Sequence, residues 1–210
     1  MKIVVIGANG GIGRKVVDQA LAADHRVVAI LRTTSNLSLV HPNLSIIQGD
    51  VVHPETVEKY LQEADAVVSA IGGKMNQPTT LYSEGNRNLL RSMKKMGVRR
   101  GFFISASAIE ISPVQPLLIR LVTKYIVQKL FGLGYADQRI MERMLKESET
   151  DWTIMRTPRL TDKPATGHYR FAINQYLKNC LSISRADVSH FIIHHITNEA
   201  TYRSVVEIAY

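Results

Sequence analysis

The chain has 210 residues, 45% hydrophobic and 21% charged, which excludes a disordered polar polymer and leaves ample material for a full core. A single cysteine, Cys180, excludes an internal disulfide and suits a reducing compartment, and no apolar run reaches the roughly 18 residues that a membrane-spanning helix needs. The net charge of +8 is dispersed from Lys2 to Arg203 rather than gathered on one aromatic-rich face, so nucleic acid is not the expected partner.

The N-terminal "MKIVVIG" enters a strand pattern at once, with no charged leader or small-residue cleavage site, so a cytoplasmic location is expected. Strands are predicted at "KIVVIG" (2–7), "RVVAILR" (26–32), "LSIIQGD" (44–50), "DAVVSAIG" (65–72), "GFFISAS" (101–107) and "DWTIMR" (151–156). Helices are predicted between them at 11–22, 54–63, 79–97 and 117–149, the last broken at "GLG" (132–134). Short Val/Ile-rich strands alternating with helices imply a parallel sheet buried on both faces, and right-handed crossovers make it a doubly wound α/β sheet. After about residue 157 the alternation weakens into a Pro/Gly-containing loop, a short strand, a helix and a last strand. One domain spanning 1–210 with a small C-terminal elaboration is the expected organisation.

Between the first strand and the first helix stands "GANGGIG", with glycines spaced as Gly7, Gly10 and Gly13. Gly7 turns the chain off the strand, Gly10 lets a pyrophosphate approach the backbone, and Gly13 lets the helix pack closely on the sheet. Asn9, Gly11 and Ile12 complete the loop and the first helical turn, whose free amides and positive dipole end favour phosphate. At the end of the second strand, where an NAD site carries an acid for the ribose hydroxyls, this chain has Arg32, Thr33, Thr34 and Ser35. A guanidinium with hydroxyls suits a 2′-phosphate, so NADP(H) is expected over NAD(H).

The third strand ends at Asp50 and Val51, where the carboxylate either receives the adenine amino group or caps the following turn. The fourth ends in small residues around Ile71, namely Ala70, Gly72 and Gly73, over which a cofactor can lie against bare backbone. Ser105 and Ser107 close the fifth strand and are the catalytic candidates facing nicotinamide and substrate; turn chemistry is the competing reading. After the sixth strand, Thr157 and Pro158 are placed to flank the nicotinamide ring. Arg159, with Arg156 and Lys163, is placed to attract an anionic or aromatic small-molecule acceptor, a solvated loop charge being the competing reading of Arg159.

The stretches "GANGGIG", "GD", "SAIGG", "FFISASA" and "LKESETDWTIMRTPRLTDKPATGHYR" resemble the atypical short-chain dehydrogenase/reductases with an NAD(P)H-binding Rossmann fold. Within them the chain is most similar to the biliverdin-IXβ reductase/flavin reductase group. The resemblance covers nearly the whole chain and is most specific from Glu147 to Tyr169. It implies hydride transfer from NADP(H) to a flavin, tetrapyrrole or quinone-like acceptor, in a family that also contains nucleotide binders without known turnover. It also places the helix that usually carries Tyr-x-x-x-Lys at 135–148, where Tyr135, a further catalytic candidate, is followed by Arg139 instead of lysine, while counting back from Glu142 puts Gln138 at the lysine position. A literal Tyr125/Lys129 match lies earlier, in an apolar helix, and reads as coincidence.

That helix, 117–131, is apolar on most of its circumference; it is a lid, a subunit contact or a membrane-surface helix, with burial the simplest expectation. His190 and His194 share a helix face but lack a third ligand, so no metal is expected. Three functions stay open: an NADPH-dependent reductase, a nucleotide-binding regulator or redox sensor without turnover, and a sugar-nucleotide epimerase or dehydratase. The last normally needs the intact Tyr–Lys pair.

Overall fold

The computed structural model describes residues 1–33 and 39–210. Val- and Ile-rich stretches become the strands β1 (Lys2–Ile6), β2 (Arg26–Leu31), β3 (Leu44–Gln48), β4 (Ala66–Ser69), β5 (Arg100–Ala106) and β6 (Asp151–Thr157). Four shorter or later strands follow: β7 (Arg159–Thr161), β8 (Arg170–Ile173), β9 (Ser182–Ser184) and β10 (Ser204–Ala209). The main sheet has eight strands in the order β3-β2-β1-β4-β5-β6-β10-β8. Every neighbouring pair is parallel except β10 with β8. This is a doubly wound Rossmann-like sheet, and β7 and β9 form a small separate parallel pair in the C-terminal elaboration.

The helices are α1 (Gly11–Ala22), α2 (Leu81–Met96), α3 (Leu117–Val122), α4 (Gln128–Glu147) and α5 (Arg185–His194). Successive residues of each strand point to opposite faces, so β1 divides its side chains between two cores. Ile3 and Val5 join Val16 and Val17 of α1 and Phe191 of α5 on one face. Val4 and Ile6 join Leu89 and Met93 of α2 and Met141 and Leu145 of α4 on the other.

Three expectations from the sequence are corrected here. The edge strand β3 has no neighbour beyond it and no fully buried residue, so although Leu44 and Ile46 pack on one core and Ile47 on the other, its two faces are covered only in part. The helix expected at 54–63 is a pair of 3-10 turns, Pro54–Thr56 and Glu58–Leu61, because its buried apolar residues, Val57 and Leu61, are only one turn long. The long helix is not broken at 132–134. It changes pitch in a π turn at Thr123–Val127, while Gly134 stays helical and lets the Met75 backbone approach, since a Cβ there would lie 2.9 Å from the Met75 Cα.

Two buried polar residues tie the late chain to the sheet. Arg100 donates to Thr153 Oγ1 and to Thr201 Oγ1, each at 2.8 Å, and to the Ile196 carbonyl, also at 2.8 Å. Asp187, fully buried in the first turn of α5, accepts from the Tyr210 hydroxyl at 2.6 Å and from the Thr166 and Gly167 amides at 2.8 and 2.9 Å. That network fixes the loop beginning near Pro158 to the end of the chain and holds the Asp187 carboxyl below its ordinary value against the opposing effect of burial. Among the described residues, no helix is long and apolar enough to cross a membrane.

Candidate functional site

The strand order reverses between β1 and β4, and the crevice of such a sheet lies outside the carboxyl ends of those two strands. The glycine-rich loop occupies that edge. Gly7 has φ of +76°, and a Cβ on it would lie 2.6 Å from the Ala70 carbonyl oxygen, so only glycine lets β1 turn this close to β4. The Gly10 amide donates to the Gly7 carbonyl at 2.8 Å, and Gly10 then leads into α1 with no side chain capping the helix. A Cβ on Gly13 would collide with the Gly7 carbonyl, so Gly13 does not face the crevice but fits the helix against the loop.

Two cavities meet over this loop, sharing Gly10, Ala70, Ile71 and Gly72. The smaller, about 370 Å³, adds Gly7, Asn9, Arg32, Thr33, Asp50 and Val51. Asn9 braces it by donating to the Thr33 carbonyl at 2.7 Å, and Arg32 stands exposed at the rim. One Asp50 oxygen accepts the Val52 amide at 3.1 Å, so its turn-capping reading is met while the residue still lines the cavity. Thr34 and Ser35 lie outside the described residues.

The larger cavity, about 820 Å³, adds Gly11, Ile12, Ser105, Ser107, Tyr135, Pro158 and Arg159. The structure thus brings most of the sequence-predicted site residues to these two cavities, while Gly13 is buried behind the loop and Gly73, Arg156 and Lys163 line neither. The hydroxyls are differently placed from the expectation. Ser105 is buried and donates to Glu142 at 2.8 Å, so its hydroxyl belongs to the wall. Ser107 donates to the Arg156 carbonyl at 3.1 Å and lies 3.6 Å from Cys180 Sγ, whose thiol burial pushes up to about 11. Tyr135 has no cation beside it, because Arg139 gives its guanidinium to the Ile109 carbonyl at 2.6 and 2.9 Å. Burial therefore raises the Tyr135 phenol above its ordinary value.

Arg156 corrects a second expectation. It is not available to an incoming anion, because it is buried and its fork is taken by Glu142 and Glu110, at 2.7 Å to each. Tyr125 is exposed on the outer side of the π turn and lines neither cavity. The His190 ring meets the Tyr169 hydroxyl at 2.8 Å and stacks on His194, so the pair serves packing.

The structure adds residues that sequence reasoning passed over. Arg185 lies across the start of α1, where a Cβ on Gly11 would collide with its side chain, and its guanidinium meets Asp162 at 2.8 Å. It puts a cation beside the helix end that attracts phosphate. Ser112 Oγ, Gln115 Oε1 and Gln138 Oε1 are buried polar atoms without a hydrogen-bond partner, and all three residues line the larger cavity. A folded chain rarely leaves such atoms unpaired, so ordered water or a ligand in the cavity is their expected partner. Gln138 is the residue that occupies the lysine position of the Tyr-x-x-x-Lys pattern, which was the one signal that singled it out.

A protein-family model for NAD(P)H-binding matches residues 7–199. Among curated proteins, the photosystem II assembly factor Ycf39 of Synechocystis is 30% identical over 56% of this chain, which spans 37% of that longer protein. A reductase, PytE of Aspergillus terreus, is 27% identical over 94% of this chain and 92% of its own. Among solved structures, a short-chain dehydrogenase/reductase of Veillonella parvula in complex with NADP superposes with a TM-score of 0.82 at 21% identity, covering 100% of this chain and 94% of that one. The anaerobilin reductase ChuY of Escherichia coli also superposes at 0.82, with 20% identity over 100% of this chain and 97% of its own. At those identities the two structures speak for the fold.

Proposed function

Because the chain belongs to the NAD(P)H-binding family, we propose that it is an NADPH-dependent reductase of a flavin, tetrapyrrole or quinone-like acceptor, akin to the biliverdin-IXβ reductase/flavin reductase group. The observation that carries this reading is the continuity of the two cavities across bare glycine backbone. One is sized and edged for an adenosine half, and the other is largely apolar, with three orphaned polar atoms on its wall. The reductase name of the Aspergillus terreus relative supports the same direction.

The residues fit NADP(H). Gly7 and Gly10 let the loop backbone lie close against β4, where a Cβ would crowd the Ala70 and Gly7 carbonyls, and α1 has uncapped amides at Gly11 and Ile12 that would meet the phosphates. Arg185 adds a cation at that end, and of the residues lining the smaller cavity Arg32 and Thr33 would meet a ribose 2′-phosphate while Asp50 and Val51 would bound the adenine. Gln138 Oε1, which has no protein partner, would accept from a nicotinamide-ribose hydroxyl if the nicotinamide half lies in the larger cavity. When bound, the nicotinamide supplies a hydride. The chain's own task is positioning: Pro158 and Ser107 press the reacting faces together, Arg159 holds an acidic group of the acceptor, and the apolar walls exclude water. Burial raises the carboxyl of Glu207, which lines the same cavity, so it keeps a proton into a higher pH range than an exposed glutamate.

A second reading is a nucleotide-binding regulator without turnover, favoured by two observations: Ser105 is committed to Glu142, and the residue four after Tyr135 is Arg139, whose guanidinium is given to the Ile109 carbonyl. Following NADPH absorbance with FMN, riboflavin and a quinone in turn separates the two. Protein-dependent oxidation that saturates with acceptor supports the reductase. Tight NADPH binding with no oxidation of any acceptor supports the regulator.

A further inference from the structure

The segment from α3 through the π turn into the start of α4 contradicts the expectation that it is buried. No residue of α3 or of the π turn is buried, and Leu117, Leu118 and Tyr125 are 68%, 70% and 61% exposed. Leu121, Ile126 and Leu130 are exposed with them. Six large apolar or aromatic side chains on one segment form a patch that soluble surfaces rarely leave uncovered.

What covers it is indicated by charge. Residues 111–136 contain no aspartate or glutamate, and the only charged residues among them are Arg120, Lys124 and Lys129. An exposed apolar helix with only cations among its polar residues has the chemistry of an interfacial helix on an anionic bilayer, with lysine stems lying along the apolar surface and ammonium groups reaching phosphate. A second copy of the chain is less suited, because a two-fold contact sets each patch against itself and brings these cations together with no acid between them. The opposite side of the same segment, through Ile119, Val127 and Phe131, lines the larger cavity. The patch is therefore the outer skin of a cavity wall.

We propose that the segment 117–131 docks this protein on the surface of an anionic membrane, lying in the plane of the interface with Leu117, Leu118, Leu121 and Leu130 in the acyl boundary. Docked this way, the wall of the apolar cavity rests against lipid.

The test is co-sedimentation of the full chain with vesicles of phosphatidylcholine alone and of phosphatidylcholine with phosphatidylglycerol, at low and high salt. The expected result is binding to the anionic vesicles that weakens on salt addition and is much poorer on the neutral ones. Leu118→Glu with Leu121→Glu, at exposed positions that line neither cavity, is expected to lower the vesicle partition on the order of tenfold or more, with NADPH binding and thermal midpoint unchanged. Lys124→Glu with Lys129→Glu is expected to abolish the preference for anionic lipid while leaving the fold intact. A wild-type chain that stays in the supernatant with both vesicle types overturns the proposal. So does a concentration-dependent dimer, seen by light scattering, that the leucine variant dissolves, because a second copy then covers the patch. None of these readouts depends on turnover, so the docking inference and the reductase reading fail separately.

Discussion

Arg156 and Glu207 stand opposite each other in register on β6 and β10, yet no ion pair joins them. The Arg156 fork is occupied by Glu142 and Glu110, and Glu207 receives only the Leu177 amide, at 2.7 Å. Three carboxylates thus surround one guanidinium, and the one left over is the one whose carboxyl burial pushes upward. Because folding raises this carboxyl, its contribution to stability is fully present below the unfolded glutamate value. It is lost as pH rises through the folded one. Glu110 is lowered, chiefly by its hydrogen bond from Arg156, and contributes in the opposite sense, losing its share as pH falls. Replacing Glu207 with Gln keeps an acceptor for Leu177 and removes the buried charge. Thermal midpoints measured at mildly acidic and mildly alkaline pH are expected to show the variant gaining on wild type as pH rises. A gap that stays constant with pH would remove Glu207 from this account.

How much of this was legible in the sequence depended on the range of the interactions. The six leading strands and the glycine loop are written in local patterns, and β1, β2 and β4 follow them closely. Gly7, Arg32 and Asp50 stand out in the sequence because each sits at the carboxyl end of a strand, and all three line the smaller cavity. The commitment of Ser105 to Glu142 was not legible, since the partners are 37 positions apart and meet only when α4 packs on the sheet. Arg185 was missed for the same reason, because its neighbour Gly11 lies at the other end of the chain. The exposure of the 117–131 segment defeats reasoning from hydropathy, which equates apolar residues with burial.

In the proposed reading Arg32 carries the choice between the two nicotinamide cofactors, since it edges the smaller cavity where an NAD site has an acid. Charge reversal by Arg32→Glu is expected to weaken NADPH by about 1.5–3 kcal/mol, the worth of hydrogen bonds to a charged group. It is expected to leave NADH nearly unchanged. Fluorescence titration with both cofactors reads this directly, and equal weakening of the two would remove the 2′-phosphate from Arg32.

Arg185 reaches over Gly11 from the first turn of α5, held at its far end by Asp162. With a pyrophosphate on α1, the guanidinium adds a charge-assisted contact that the adenosine and nicotinamide halves do not share. Arg185→Ala is expected to cost on the order of tenfold in affinity for NADPH and NADH alike, and the loss should shrink as salt is added. An affinity that stays at wild type would confine Arg185 to its ion pair with Asp162.

Gln138 is the most informative substitution, because stability and binding should move in opposite directions. Its Oε1 is buried without a partner, a condition that costs a free protein about 1–3 kcal/mol. Gln138→Leu replaces the amide with an apolar group of similar size, so the free chain is expected to gain about 1 kcal/mol and melt several degrees higher. If the orphan atom is there to accept a ribose hydroxyl, the same change weakens NADPH and lowers turnover while leaving acceptor affinity intact. A variant that is more stable and binds NADPH as before would show that the acceptor side of the cavity uses Gln138 instead. Loss of acceptor affinity alone would confirm that assignment, so the pair of titrations decides which half of the cavity this residue serves.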